Sequence, residues 1–104
     1  MLAEEFEKII NLRLALCRDT LTRKAAEYAT EDRLHNFKVA AQMQDVTPVQ
    51  ALAGMMAKHT VSIYDMCTSG DVYPPEVWAE KIGDSINYLL LLDALVRETG
   101  MDGI

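Results

Sequence analysis

Glu80 and Asp84 stand four residues apart in the stretch Glu80-Lys81-Ile82-Gly83-Asp84. On a helix that spacing puts both carboxylates on one face. Two such groups can hold one hard divalent cation, magnesium for example, with water and phosphate oxygens completing the octahedron. Asn87, on the next turn from Asp84, adds an amide ligand or a hydrogen bond. The plainer reading of a bare pair like this is a solvated acidic face. Three details argue for more at Asp84: Ile82 and Ile86 flank it, Gly83 opens space beside it, and Asn87 lies where the chain turns wholly apolar.

A second set of polar groups fills residues 24–38, KAAEYATEDRLHNFK. Glu27 and Glu31 are four apart but straddle an expected helix break. Asp32 and Asn36 are four apart on the helix that follows, with His35 beside Asn36. Lys24, Arg33 and Lys38 bring positive charge that could meet phosphate. Glu31 and Asp32 would equally serve as the acidic first turn of a helix. Phe37 reads as core, and Tyr28 reads mostly so, although a tyrosine at a helix end can offer its hydroxyl to a ligand.

The third set is Met55-Met56-Ala57-Lys58-His59-Thr60-Val61-Ser62. Lys58, Ser62 and Asp65 fall on one side of a helix, so Lys58 can neutralise a phosphate or pair with Asp65. His59 can act as a base, as a ring that stacks on a nucleobase, or as a satisfied core histidine. The methionines read as core filler. The chain has no glycine-rich phosphate loop, no His-x-x-x-His, no Cys-x-x-Cys and no nucleophile elbow. Any chemistry therefore falls to carboxylates, lysines and amides.

Charge and length narrow the field. The 104 residues suffice for one compact domain. Half are apolar, enough for a core and too many for a disordered tail. The net charge of −6 argues against a partner such as duplex nucleic acid or an anionic membrane. The longest apolar run, Tyr88 to Leu92, is far short of the roughly 20 residues of a membrane span. The acidic, amphipathic opening MLAEEFEK does not resemble a secretory signal. Cys17 and Cys67 have no metal-type spacing and fit a reduced, cytoplasmic protein. The acid is uneven: residues 1–50 carry seven bases and eight acids, residues 51–104 three and eight.

Four helices must position these groups. Phe6, Ile10, Leu14, Cys17, Leu21, Ala25 and Tyr28 step by three or four and predict a first helix over Ala3 to Ala29. Its length of about 40 Å at 1.5 Å per residue implies that a partner chain shares it. Thr30 as N-cap opens a second helix over Glu31 to Gln44, with Leu34, Phe37 and Ala41 inward. Thr47-Pro48-Val49-Gln50 is a capping box with proline at the first helical position. It starts a third helix that places Val49, Leu52, Met56, Thr60, Ile63 and Cys67 on one face and stops near Thr68-Ser69-Gly70. Pro75 opens a fourth, ending at Gly100, whose expected core face is Trp78, Ile82, Ile86, Leu89 and Leu90. Gly54 and Gly83 inside helices call for a close helix approach or room beside a ligand. The expected fold is all-α, a four-helix bundle-like single domain over 1–104, assembled as a homo-oligomer.

The anchors Lys24-x-x-Glu27-Tyr28, Asn36-Phe37, Met55/Met56-x-Lys58 and Glu80-x-x-Gly83-Asp84 with Tyr88-Leu-Leu resemble the small phage and prophage proteins grouped as nucleotide-modification-associated domains. Those look like relatives of the all-α, MazG-like nucleoside triphosphate pyrophosphohydrolases. The resemblance covers roughly residues 20–92, as scattered anchors. It implies a phage-encoded protein of the host cytoplasm that hydrolyses a nucleoside triphosphate to monophosphate and pyrophosphate. It also implies magnesium held by an E-x-x-E pair and an E-x-x-D pair. Asp84 matches the aspartate of the second pair, and Glu80 matches the first glutamate of E-E-x-G-D. The second glutamate falls on Lys81, a cation where the pattern wants a ligand. The first pair has no clean match: Glu27, Glu31 and Asp32 supply carboxylates, but not at E-x-x-E spacing. The site is then either rebuilt, with Glu27, Glu31 or Asp32, Glu80 and Asp84 on the metal, or stripped of it. In the second case Lys24, Lys58 and Lys81 would meet phosphate directly, and Asn36, Asn87, His35 or His59 would read sugar or base, in a protein that binds or sequesters a nucleotide. A third possibility is a structural oligomeric module.

Overall fold

A computed structural model describes the backbone of residues 1–27 and 32–100 and the side chains of residues 1–23 and 32–100. The protein is all-α, with four helices: α1 (Ala3–Glu27), α2 (His35–Gln44), α3 (Pro48–Thr68) and α4 (Pro75–Glu98). The first, of 25 residues, is the longest. The chain divides into two compact units, Met1–Glu31 and Asp32–Ile104. The first consists essentially of α1, which opens with Glu4 and Glu5 at the positive end of its dipole.

In the second unit α3 packs against both α2 and α4. The core is Leu34, Phe37, Leu52 and Leu95, with Val49, Met55, Met56, Tyr88, Leu91 and Leu92 around it. The start of α3 follows the expected chemistry. The Thr47 hydroxyl accepts from the Gln50 N–H at 3.2 Å, and the Gln50 side chain accepts from the Thr47 N–H at 2.9 Å. After α3, Gly70 takes a left-handed φ of 76°, a conformation that a side chain resists. The Ser69 hydroxyl accepts from the Asp71 N–H at 3.1 Å and closes that turn.

Three expectations are corrected. The second helix begins at His35, not Glu31. The Asp32 carboxylate accepts the Leu34 N–H at 2.9 Å, and the Asp32 carbonyl accepts the His35 N–H at 3.1 Å. A side-chain turn thus stands where the first helical turn was expected. The proposed Thr30 cap and Glu31 lie outside the described residues. Next, the core side of α4 is Tyr88, Leu91, Leu92 and Leu95, whereas Ile82, Leu89 and Leu90 are exposed. Trp78 instead meets Tyr73 edge-on, ring centroids 5.8 Å apart, at the foot of the helix. Finally, Thr60 and Cys67 of α3 are exposed, and Ala51, Leu52 and Met66 are buried. A Cβ at Gly54 would meet open space among the described residues, so no close approach of a described helix explains that glycine. Gly83 is buried.

Lys38 closes the second unit by pairing with Asp32 at 2.7 Å and with Glu98 near the end of α4. The Lys38 hydrogen bond, then the Leu34 N–H, hold the Asp32 carboxyl below its ordinary value. Hydrogen bonds to Asp32 and then Glu98 push Lys38 up. Asp32 therefore adds stability above the ordinary carboxylate value, and that gain is lost as pH falls through its lowered folded value. Lys38 adds stability below the ordinary lysine value, lost as pH rises through its raised one. A Lys38→Met variant is expected to melt below the parent between about pH 4 and pH 10 and to converge on it at both extremes. Melting temperature against pH checks this; a gap independent of pH refutes it.

Candidate functional site

The candidate site lies where α3 meets α4. Leu52 and Leu95 in the core fix the two helices together, which brings His59 of α3 beside Asp84 and Tyr88 of α4. His59 Nδ1 stands 3.9 Å from Asp84 Oδ2, too long for a hydrogen bond but close enough for an ion pair once the ring is protonated. The imidazole lies 5.0 Å from the Tyr88 ring, tilted by 37°. The His59 side chain is only 17% exposed, while Asp84 is 39% exposed. The cluster is thus a half-buried aromatic pair beside a more exposed carboxylate.

Asp84 is held by the helix that Pro75 begins, and it follows the buried Gly83. Asn87 follows Gly83 by one turn. Its Oδ1 is buried, and so is Ser85 Oγ; neither has a hydrogen-bond partner among the described residues. A buried polar atom left unpaired costs about 1–3 kcal/mol, so both call for a partner. Glu80 lies one turn before Asp84 and is exposed. Lys81 is half-buried and Lys58 exposed. Among the described residues neither lysine has an ion-pair partner, so Lys58 does not pair with Asp65.

The other expected site residues are elsewhere. His35 and Asn36 are exposed on the first turn of α2, and Asp32 precedes that helix instead of sharing a face with Asn36. Asp32 is engaged by Lys38 and the Leu34 N–H, which removes it from the free carboxylates. Lys38 is likewise committed to Asp32 and Glu98 rather than to phosphate. The side chains of Lys24, Glu27, Tyr28 and Glu31 lie outside the described residues. Among the described residues no three His, Cys, Asp or Glu side chains converge as a metal site would require. The donor set expected for magnesium is not assembled from them. Both cysteines are free, Cys17 buried and Cys67 exposed.

Sequence reasoning marked Asp84 and Asn87 together and His59 apart from them. It missed Tyr88 as a site residue, taking its ring for part of an apolar run, and it missed the orphaned Ser85 hydroxyl. The spacing of Asp84 and Tyr88, one helical turn, was the available signal for Tyr88; nothing in the sequence marks Ser85. No helix among the described residues is long and apolar enough to cross a membrane. No protein-family model matches the chain, and no curated protein or solved structure matches it.

Proposed function

We propose that the protein binds a nucleotide at the α3–α4 face around His59, Asp84 and Tyr88. The observation that supports this is the imidazole–phenol pair with a half-exposed carboxylate at its edge. The rings offer an apolar stacking surface for a base. The Asp84 carboxylate can accept from an exocyclic amine or a ribose hydroxyl. Lys58 and Lys81 supply charge for phosphate. Lys81, the departure from the MazG-like pattern, fits this reading directly, because a cation there opposes a metal and favours an anion.

Hydrolysis of a nucleoside triphosphate to monophosphate and pyrophosphate is the second reading. The one-turn spacing of Glu80 and Asp84, with Glu80 exposed, favours it. A magnesium ion bound there would supply a Lewis acid and an activated water.

A melting screen over nucleoside mono-, di- and triphosphates, with and without magnesium, separates the two. Binding at 100 times Kd adds about 2.7 kcal/mol. In a domain of this size each kcal/mol shifts the midpoint by roughly 4–8 °C, so the expected rise is about 10–20 °C. Under the binding reading the rise needs no magnesium and is lost in Lys58→Ala and His59→Ala. Under hydrolysis, pyrophosphate appears only with magnesium and is abolished by Asp84→Ala. A chain that no nucleotide stabilises and that releases no pyrophosphate leaves the structural oligomeric module as the reading.

A further inference from the structure

The first unit carries a separate feature, independent of the nucleotide reading. On α1, Phe6, Ile9, Ile10, Leu12, Leu14 and Leu16 are all exposed, Phe6 by 56% and Leu12 by 62%. At 100° per residue they cover one broad side of the helix, more than a solvated helix carries. The charges on the same helix are sorted by end. Residues 3–12 hold Glu4, Glu5 and Glu7 against Lys8; residues 13–27 hold Arg13, Arg18, Arg23 and Lys24 against Asp19 and Glu27.

We infer that α1 is a self-association surface that pairs antiparallel with α1 of a second copy of this chain. The flanks of the apolar side decide the direction. Glu5 and Arg23 are 18 residues apart, five helical turns, and so lie together near one edge of that side, between Leu12 and Leu16. Glu7 and Arg18 are 11 apart, about three turns, and border the other. In an antiparallel pair like edges face each other with ends reversed. Glu5 then faces the far copy's arginine end on one side, and Glu7 does so on the other. A parallel pair in register sets acid against acid and base against base, which disfavours it. One copy of the chain therefore carries both halves of a complementary pattern, as a two-fold homodimer requires.

The test is the oligomeric state by sedimentation, with charge reversals at Glu7 and Arg18. Glu5 is left intact because its carboxylate also accepts the Leu2 N–H at 3.1 Å and caps the helix. The expected parent is a dimer. Glu7→Arg alone and Arg18→Glu alone should each weaken it about tenfold at low salt, and less at high salt. The combined variant should restore the parent affinity. Ile9→Asp should give a monomer with unchanged helical circular dichroism. A monomeric parent, a dimer indifferent to Glu7→Arg, or a combined variant that stays weak would each overturn the antiparallel pairing. All the reversals sit at exposed positions, so circular dichroism separates lost pairing from lost folding.

Discussion

Leu52→Ala is expected to cost about 2–5 kcal/mol, the range for deleting a leucine side chain from a packed core. Leu52 has no exposed surface and stands on α3, which packs against both α2 and α4, in one core cluster with Leu34, Phe37 and Leu95. Losing its isopropyl group removes packing for both α2 and α4. A unit of this size has only a few kcal/mol to lose, so the midpoint should fall by 10 °C or more. Leu89→Ala is the matched comparison. Leu89 belongs to the expected core face of α4 yet is 54% exposed. It should cost under about 0.5 kcal/mol, as surface substitutions do. Denaturant unfolding of both variants checks the pair. Equal losses would mean that α4 is turned the other way.

That comparison marks the boundary of what the sequence discloses. Helix ends are local chemistry, and they were readable. Thr47-Pro48-Val49-Gln50 forms the expected reciprocal cap, α4 starts at Pro75, and α3 stops before Ser69. Facing is not local. Tyr88 through Leu92 is apolar in every direction, so periodicity cannot say which side meets α3; only the register between the helices decides. The start of α2 failed for a similar reason. Thr30-Glu31-Asp32 has the composition of a helix start, but Asp32 is drawn to Lys38 six residues on. No helical periodicity links those two positions.

The site was legible by parts. Asp84 drew notice from its carboxylate spacing and His59 from its residue type, but they come from different helices, 25 positions apart in sequence. Their approach depends on how α3 sits on α4, which is a property of Leu52, Tyr88 and Leu95 packing. The grouping of Asp32 with Asn36 failed for a local reason, since it rested on a helical turn that the Asp32 side-chain turn replaces. Lys81 was legible in type and in place. Whether it leaves room for a magnesium ion beside Asp84, or excludes one and meets phosphate itself, is the difference between the two functional readings.

Asn87→Leu is expected to raise the stability of the ligand-free protein while abolishing its response to nucleotide. Asn87 Oδ1 is buried without a hydrogen-bond partner among the described residues. Leucine has nearly the same shape and no polar group to desolvate, so relief of about 1–3 kcal/mol is expected. Helix propensity adds only a few tenths of a kcal/mol, too little to account for a gain of that size. Under a purely structural role nothing further follows. Under the proposed function, the amide oxygen is kept at that cost because a ligand donor satisfies it, and Asn87→Leu loses the nucleotide-induced rise in melting temperature even as its own midpoint climbs. The two readouts come from one melting series, with and without ligand. Destabilisation by Asn87→Leu would sink the idea, since it would show that the folded chain already partners the amide. A full nucleotide response in the stabilised variant would remove Asn87 from the site and leave His59, Asp84 and Tyr88 to carry it.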